Sequence, residues 1–368
     1  MFNLKKQIKT LYVTGVLSNL SVTGAWVTIL SARGFSLVQI GFAETIFHIT
    51  SLICEIPSGL LADIYGRKKM LIVSNIMAIL GDLIMAFSGG FAMVCMSMPF
   101  HAMNYNFASG SNDALAYDSM KSCGQESGYE KYISNQSIIY RLATGASTLC
   151  AGLALWMGYR PAYLLSAVMG LLTLFFTCRL TEVRIEEDSE EKKEKEQIRI
   201  LPEMLKYFKD SIHFLCTSGK ASALMFLNSF VGAVDILLLF FLQSKLRTAG
   251  ISNLFLGVAL LTMELGGIVG ARLILKAKKM KYVSVFLLCS AGVFLGILLE
   301  HTAVIVIMVL GGFISAMADD AIQIRTDAKL QDMFPSEQRA TLVSISSFTF
   351  SVIMIVLSPL AGYFFTVW

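Results

Sequence analysis

Charge is scarce in this chain. Of its 368 residues only 15% are Asp, Glu, Lys or Arg, against about 25% in soluble globular domains. With 55% hydrophobic residues alongside, that shortage excludes an ordinary soluble protein. Proline is sparse too, six in all, which suits long helices. A membrane barrel would need short alternating segments. The apolar runs here are long and continuous, so helices are expected to carry the chain through lipid. The cysteines (Cys54, Cys95, Cys123, Cys150, Cys178, Cys216 and Cys289) stand singly, with no CxxC pair. They read as small packing residues, and neither a metal nor another cofactor is expected. The sequence lacks a phosphate loop, a nucleophile elbow and a metal-spaced His/Glu helix, so no enzymatic activity is expected. No nucleic-acid partner is expected either. No cleavable signal is expected, since the basic residues 1–10 lead straight into a full-length apolar run.

What the chain does have is repeated apolar stretches. A spanning helix needs roughly 20 apolar residues, and the sequence predicts eleven spans at 11–31, 38–62, 70–89, 91–118, 134–157, 160–180, 217–242, 252–276, 281–299, 302–324 and 340–363. With the N-terminus inside, 25 of the 30 Lys and Arg fall in inner segments. Only Arg33, Arg160, Lys245 and Arg247 fall outside, and Arg141 alone lies within a span. The positive-inside rule therefore predicts a cytoplasmic N-terminus. The one polar stretch, 181–213, contains a charged run from Glu186 to Glu196 that cannot build a core. Leu201, Leu205, Phe208, Ile212 and Leu215 follow with the spacing of a short amphipathic helix on the inner surface. This divides the chain into an N-terminal bundle at 1–180, a cytoplasmic linker at 181–216 and a C-terminal bundle at 217–368. An offset of 207 superposes Gly59 on Gly266, Asp113-Ala114 on Asp320-Ala321 and Ser137 on Ser344, which supports a duplicated bundle.

Between the second and third spans lies Gly59-Leu-Leu-Ala-Asp63-Ile-Tyr-Gly66-Arg67-Lys68-Lys69-Met-Leu71. This loop resembles the signature of major facilitator superfamily transporters, and the chain as a whole resembles bacterial efflux-type members. The resemblance implies an all-α polytopic membrane protein of two six-helix bundles related by a pseudo-repeat. Six and six make twelve, and Trp368 follows the eleventh span directly, so the twelfth helix is expected to be missing. The resemblance also implies a latch. Asp63 would dock near the start of the eleventh helix, in the Ser336–Thr341 region, and Arg67 would pair with Asp118 at the inner end of the fourth. Gly59 would allow close helix approach, Gly66 would make a tight turn, and Lys68 continues the basic cluster. Two patterns common in antiporters are not matched: Asn106 stands where many members carry a basic residue, and no Pro lies between Gly145 and Gly152.

Acids inside the spans are the remaining signal. Glu44, Glu55, Asp82, Asp113, Asp235, Glu264, Asp319 and Asp320 all interrupt apolar runs. Each would cost about 2.5–3.5 kcal/mol on a lipid-facing helix centre, so they are expected to face the bundle interior. Glu44 and His48 are one helical turn apart, and Glu55 lies near the same face. That stripe is read either as a proton path or as a set of hydrogen bonds between helices. By resemblance, helices 1, 4, 7 and 10 line a central cavity, which would bring Asn19, Trp26, His101, Asp113, Asp235, Asp319 and Asp320 to the solute. Asp235 has no repeat-mate and is the first candidate proton site. The expected function is secondary active transport by alternating access, with a small-molecule substrate and protons as partners. The expected protein is a monomer in the plasma (bacterial inner) membrane. Efflux of an amphipathic or cationic compound fits the acid-rich interior. The alternatives are proton-coupled uptake of a small metabolite and a non-transporting sensor or scaffold.

Overall fold

The computed structural model describes residues 2–183, 219–277, 279–333 and 339–367, with scattered positions from 202 to 217. Among the described residues every regular element is helical. The first nine helices are α1 (Leu4–Asn19), α2 (Trp26–Ala32), α3 (Leu37–Tyr65), α4 (Arg67–Phe87), α5 (Phe91–Ala108), α6 (Ser111–Lys121), α7 (Tyr129–Leu149), α8 (Ala151–Met157) and α9 (Tyr159–Cys178). After the linker come α10 (Gly219–Thr248), α11 (Asn253–Lys276), α12 (Tyr282–Glu300), α13 (Ile305–Met333) and α14 (Arg339–Val367). Eight of the described helices are long and apolar enough to cross a membrane, or nine if α7 and α8 form one bent span.

Three of the expected spans are interrupted rather than continuous. The first is open between Asn19 and Trp26, and the hydroxyl of Ser147 on α7 answers the exposed backbone. It accepts from the Ser21 N–H at 2.8 Å and donates to the Asn19 carbonyl at 3.1 Å. Irregular backbone at membrane depth requires such partners. The fourth breaks at Ser109-Gly110, where Gly110 has φ +74°, a left-handed conformation that costs glycine nothing. The fifth bends by 43° at Cys150. The run lengths hide the breaks in the first and fifth spans, whereas the break at Gly110 lies in the polar stretch Ser109–Asp113.

The chain divides into two compact units. One holds Met1–Gly24, Ile49–Cys150 and Met157–Lys209; the other holds Ala25–His48, Ala151–Trp156 and Asp210–Trp368. In the first, Leu11, Leu71, Leu115, Met120 and Tyr132 form a buried cluster. In the second, α11 and α13 approach so closely that a Cβ on Gly266 would collide with the Phe313 carbonyl, and one on Gly270 with that of Met317. Small residues one turn apart allow this contact, as is common between helices in lipid. The second unit also takes the outer part of α3. Gly41 lies against the Ser358 carbonyl of α14, and the Thr45 hydroxyl donates to the Ile355 carbonyl at 2.9 Å.

The charged run of the linker lies outside the described residues, as do Leu201, Phe208 and Leu215 of the expected amphipathic helix. Leu205 and Ile212 are exposed.

Candidate functional site

The signature loop is built where α3 ends and α4 begins. Gly66 has φ +101°, as the tight turn requires. Arg67 reaches across to α6 and donates from Nη1 to Asp118 Oδ2 at 2.6 Å, and its Nη2 lies 3.4 Å from Asp63 Oδ1. The expected Arg67–Asp118 pair is therefore present. The sequence reading missed Glu182, just past α9. Its carboxylate accepts from the backbone N–H groups of Arg67 at 3.1 Å and Lys68 at 2.9 Å. A negative charge there answers the exposed amides and the positive end of α4, for which Gly66 offers no side-chain cap. An acid directly after the sixth span was the available signal. Gly59 behaves differently from expectation: a Cβ there would meet no described atom within 4 Å, so no described helix approaches closely at that point. Residues 334–338, which include half of the expected docking region for Asp63, lie outside the described residues.

Glu44 and His48 are brought together. His48 Nε2 lies 3.3 Å from Glu44 Oε1, and both side chains are nearly buried. The His48 ring meets Phe47 and Phe350 edge-on, and its Nδ1 has no hydrogen-bond partner among the described residues. Glu55 lies two turns further along α3 than His48. It falls in the first unit, within electrostatic reach of Tyr105.

Inside the first unit lies a cavity of about 550 Å³, walled by α1, α4, α5, α6, α7 and α9. The break at Ser109-Gly110 forms part of its wall. Of the expected solute-facing residues, Asn19 and Asp113 line it. Asp113 is the only Asp, Glu, Lys, Arg or His in that lining. Ser74, Asn75, Asn104, Thr173 and Thr177 also line it, and the sequence reading missed them because single polar residues inside apolar runs look like ordinary helix content. His101 lies elsewhere, with its ring against Gly81 of α4. Trp26 meets Phe240 edge-on at 5.8 Å within the second unit.

The second unit gathers acids. Asp319 on α13 is 4% exposed. Its Oδ2 accepts from Gln323 Nε2 at 2.5 Å, and its Oδ1 is buried with no partner among the described residues. Gly232 on α10 leaves room for this pair: a Cβ there would stand 2.9 Å from Gln323 Nε2 and 3.6 Å from Asp319 Oδ1. Asp235, one turn along α10, is within electrostatic reach of Asp319, Asp320 and Glu300. Asp320 turns the other way, against Gly267 of α11, and Glu264 is half-buried on α11. Glu300, the last residue of α12, was not expected. It is fully buried, and neither carboxylate oxygen has a hydrogen-bond partner among the described residues. The cation within its electrostatic reach is Lys245. Among the described residues no ion pair reaches Asp235 or Asp319.

A signature loop with its Arg–Asp pair, interrupted helices and buried acids describe a transporter scaffold. The sequence model of the Major Facilitator Superfamily matches residues 11–359. The chain belongs to this superfamily. Among solved structures similar to this superfamily member, the nucleoside transporter NupG aligns with a TM-score of 0.75 at 15% identity, covering 98% of this chain and 91% of that one. A D-xylose-proton symporter aligns at 0.70 and 14% identity, over 96% and 88%. The peptide transporter POT in complex with alafosfalin aligns at 0.71 and 14%, over 97% and 88%. At these identities the likeness establishes the fold. A curated relative, the uncharacterized MFS-type transporter YxaM of Bacillus subtilis (strain 168), is 31% identical over 86 residues, 23% of this chain and 22% of that protein. The match spans about a fifth of that relative's length.

Proposed function

We propose that this superfamily member is a secondary active transporter that takes up a small polar solute together with protons, by alternating access. The observation that carries the proposal is Asp319, a carboxyl 4% exposed with one oxygen unpartnered among the described residues and with the acids Asp235 and Asp320 as its charged neighbours among them. A buried carboxyl without a counter-charge is costly when ionised. Proton binding relieves that cost, and proton release on exposure restores the charge. Asp235 and Asp320 lie within electrostatic reach of Asp319. The polar cavity of the first unit supports a polar solute. Arg67, Asp63 and Asp118 form the inner latch, with Gly66 as its turn. The protein works as a monomer in the plasma membrane with a cytoplasmic N-terminus.

Export of an amphipathic or cationic compound is a second reading. It draws support from an apolar cavity of about 290 Å³ in the second unit, lined by residues such as Leu273, Met280, Leu288 and Met317.

The test uses proteoliposomes with a trapped pH indicator. Addition of transported solute outside acidifies the lumen, and Asp319→Asn abolishes the acidification. If no solute moves protons although the protein is folded and inserted, the proposal fails and the scaffold reading replaces it.

A further inference from the structure

The cavity of the first unit carries a chemical preference in its hydrogen bonds. A hydroxyl has a single proton to donate and two lone pairs to offer. For several side chains around this cavity the protons are already engaged. Thr14 donates to the Leu11 carbonyl at 3.0 Å, Thr173 to Met169 at 2.9 Å, Thr177 to Thr173 at 2.8 Å, and Ser18 to Gly15 at 3.3 Å. Ser74 donates to the backbone and side-chain oxygens of Asn104 at 2.9 and 2.8 Å. The side-chain amides of Asn19 and Asn75 likewise turn their NH₂ groups inward. Asn19 donates to the Gly15 carbonyl at 2.7 Å, and Asn75 to the Leu71 carbonyl at 2.7 Å and to Thr177 at 3.1 Å. What these side chains keep for an occupant is lone pairs: hydroxyl oxygens, two amide carbonyls, and the carboxylate of Asp113 in the first turn of α6.

Asn104, Asn112 and Tyr140 also line the cavity and add N–H and O–H donors, so the wall as a whole selects an occupant whose groups both donate and accept, as hydroxyls do. Taking the protein as a solute transporter, we infer that this cavity binds a neutral polyhydroxylated molecule of pentose, hexose or nucleoside size, with the two oxygens of Asp113 accepting from neighbouring hydroxyls of one ring. Three observations converge on this class. The volume of about 550 Å³ lies within the usual range of ligand sites, about 300–1,000 Å³. A single acid with no second charge in the lining suits hydroxyl donors. A polar lining disfavours a molecule without donors, because acceptors covered by it lose water and gain nothing. A bulky apolar cation without O–H or N–H groups is therefore disfavoured, despite the favourable charge.

The experiment is a ligand-stabilisation measurement on the purified full-length protein at constant pH, since a binder raises apparent stability by mass action. The probes are ribose, xylose, glucose, myo-inositol and uridine, each against 2′,3′-dideoxyuridine and tetraphenylphosphonium. At least one neutral polyol raises the melting temperature in a saturable way, and dideoxyuridine and tetraphenylphosphonium leave it unchanged. Asp113→Asn weakens polyol binding about 10-fold or more, the scale of a lost hydrogen bond to a charged group. Asn19→Ala weakens it about fivefold. A shift with tetraphenylphosphonium and none with any polyol overturns the inference, as does an equal shift with uridine and its dideoxy analogue. A silent panel overturns it too. Because no pH gradient is involved, failure here leaves proton coupling standing. Polyol binding without lumen acidification would instead defeat the transport reading and spare this one.

Discussion

The two units spend their polar residues in different ways. The first places hydroxyls and amides around a cavity and keeps its Arg67–Asp118 pair at the loop between α3 and α4. The second buries carboxyls among tightly packed helices and gives Asp235 and Asp319 no ion-pair partner among the described residues. Amides and hydroxyls recognise shape and hydrogen bonding. Unpaired buried carboxyls respond to protons. Under the proposed function this contrast separates solute recognition from energy coupling, although the first unit also buries one acid, Asp82, and both units carry an acid at the repeat-related positions Asp113 and Asp320.

The sharpest way to break that division is to neutralise the acids separately. Asp235→Asn with Asp319→Asn removes proton-driven accumulation by about 100-fold or more, equivalent to about 2.7 kcal/mol, while solute affinity at fixed pH changes less than about threefold. Accumulation assays alongside binding measure both. If affinity falls as far as accumulation, the second unit is part of the solute site and the contrast disappears.

An effect of similar size tests packing. Gly270→Leu forces a side chain into the Met317 carbonyl and destabilises the second unit by about 3 kcal/mol. The same change at Gly59, where a Cβ meets no described atom, costs less than about 0.5 kcal/mol. Thermal unfolding of the two variants in one detergent gives the comparison, and equal losses would contradict the description of these two sites.

The loop between α3 and α4 shows what the sequence made readable. The Asp63-to-Lys69 pattern located the Arg67–Asp118 pair because its spacing is specific and its partners are charged. Acids in apolar runs located Asp235, Asp319 and Asp320 because lipid tolerates few of them. The helix breaks were hidden, since Leu20–Ala25 and Cys150 lie in stretches whose apolar content continues, and only Gly110 between polar neighbours marked its own break. Glu182 was hidden because its role depends on where α4 begins in space. The cavity was hidden because Ser74, Asn75 and Asn104 acquire meaning only when α4 and α5 lie side by side.

Arg67→Ala leaves Asp118 half-buried without its partner and costs about 2 kcal/mol. An Arg67→Asp, Asp118→Arg exchange recovers part of the loss, whereas either single reversal does not. Calorimetric melting of the four proteins checks the cycle. Glu182→Ala has the smallest expected effect, about 1 kcal/mol for a carboxylate removed from a helix start. It is read as a modest drop in melting temperature with solute affinity unchanged.

The most direct measurement pairs two readouts on one preparation: solute-induced acidification of the proteoliposome lumen and equilibrium binding of the same polyol. The account predicts that Asp319→Asn abolishes acidification and keeps binding, and that Asp113→Asn weakens both. Acidification that survives Asp319→Asn, or polyol binding that ignores Asp113→Asn, would contradict it.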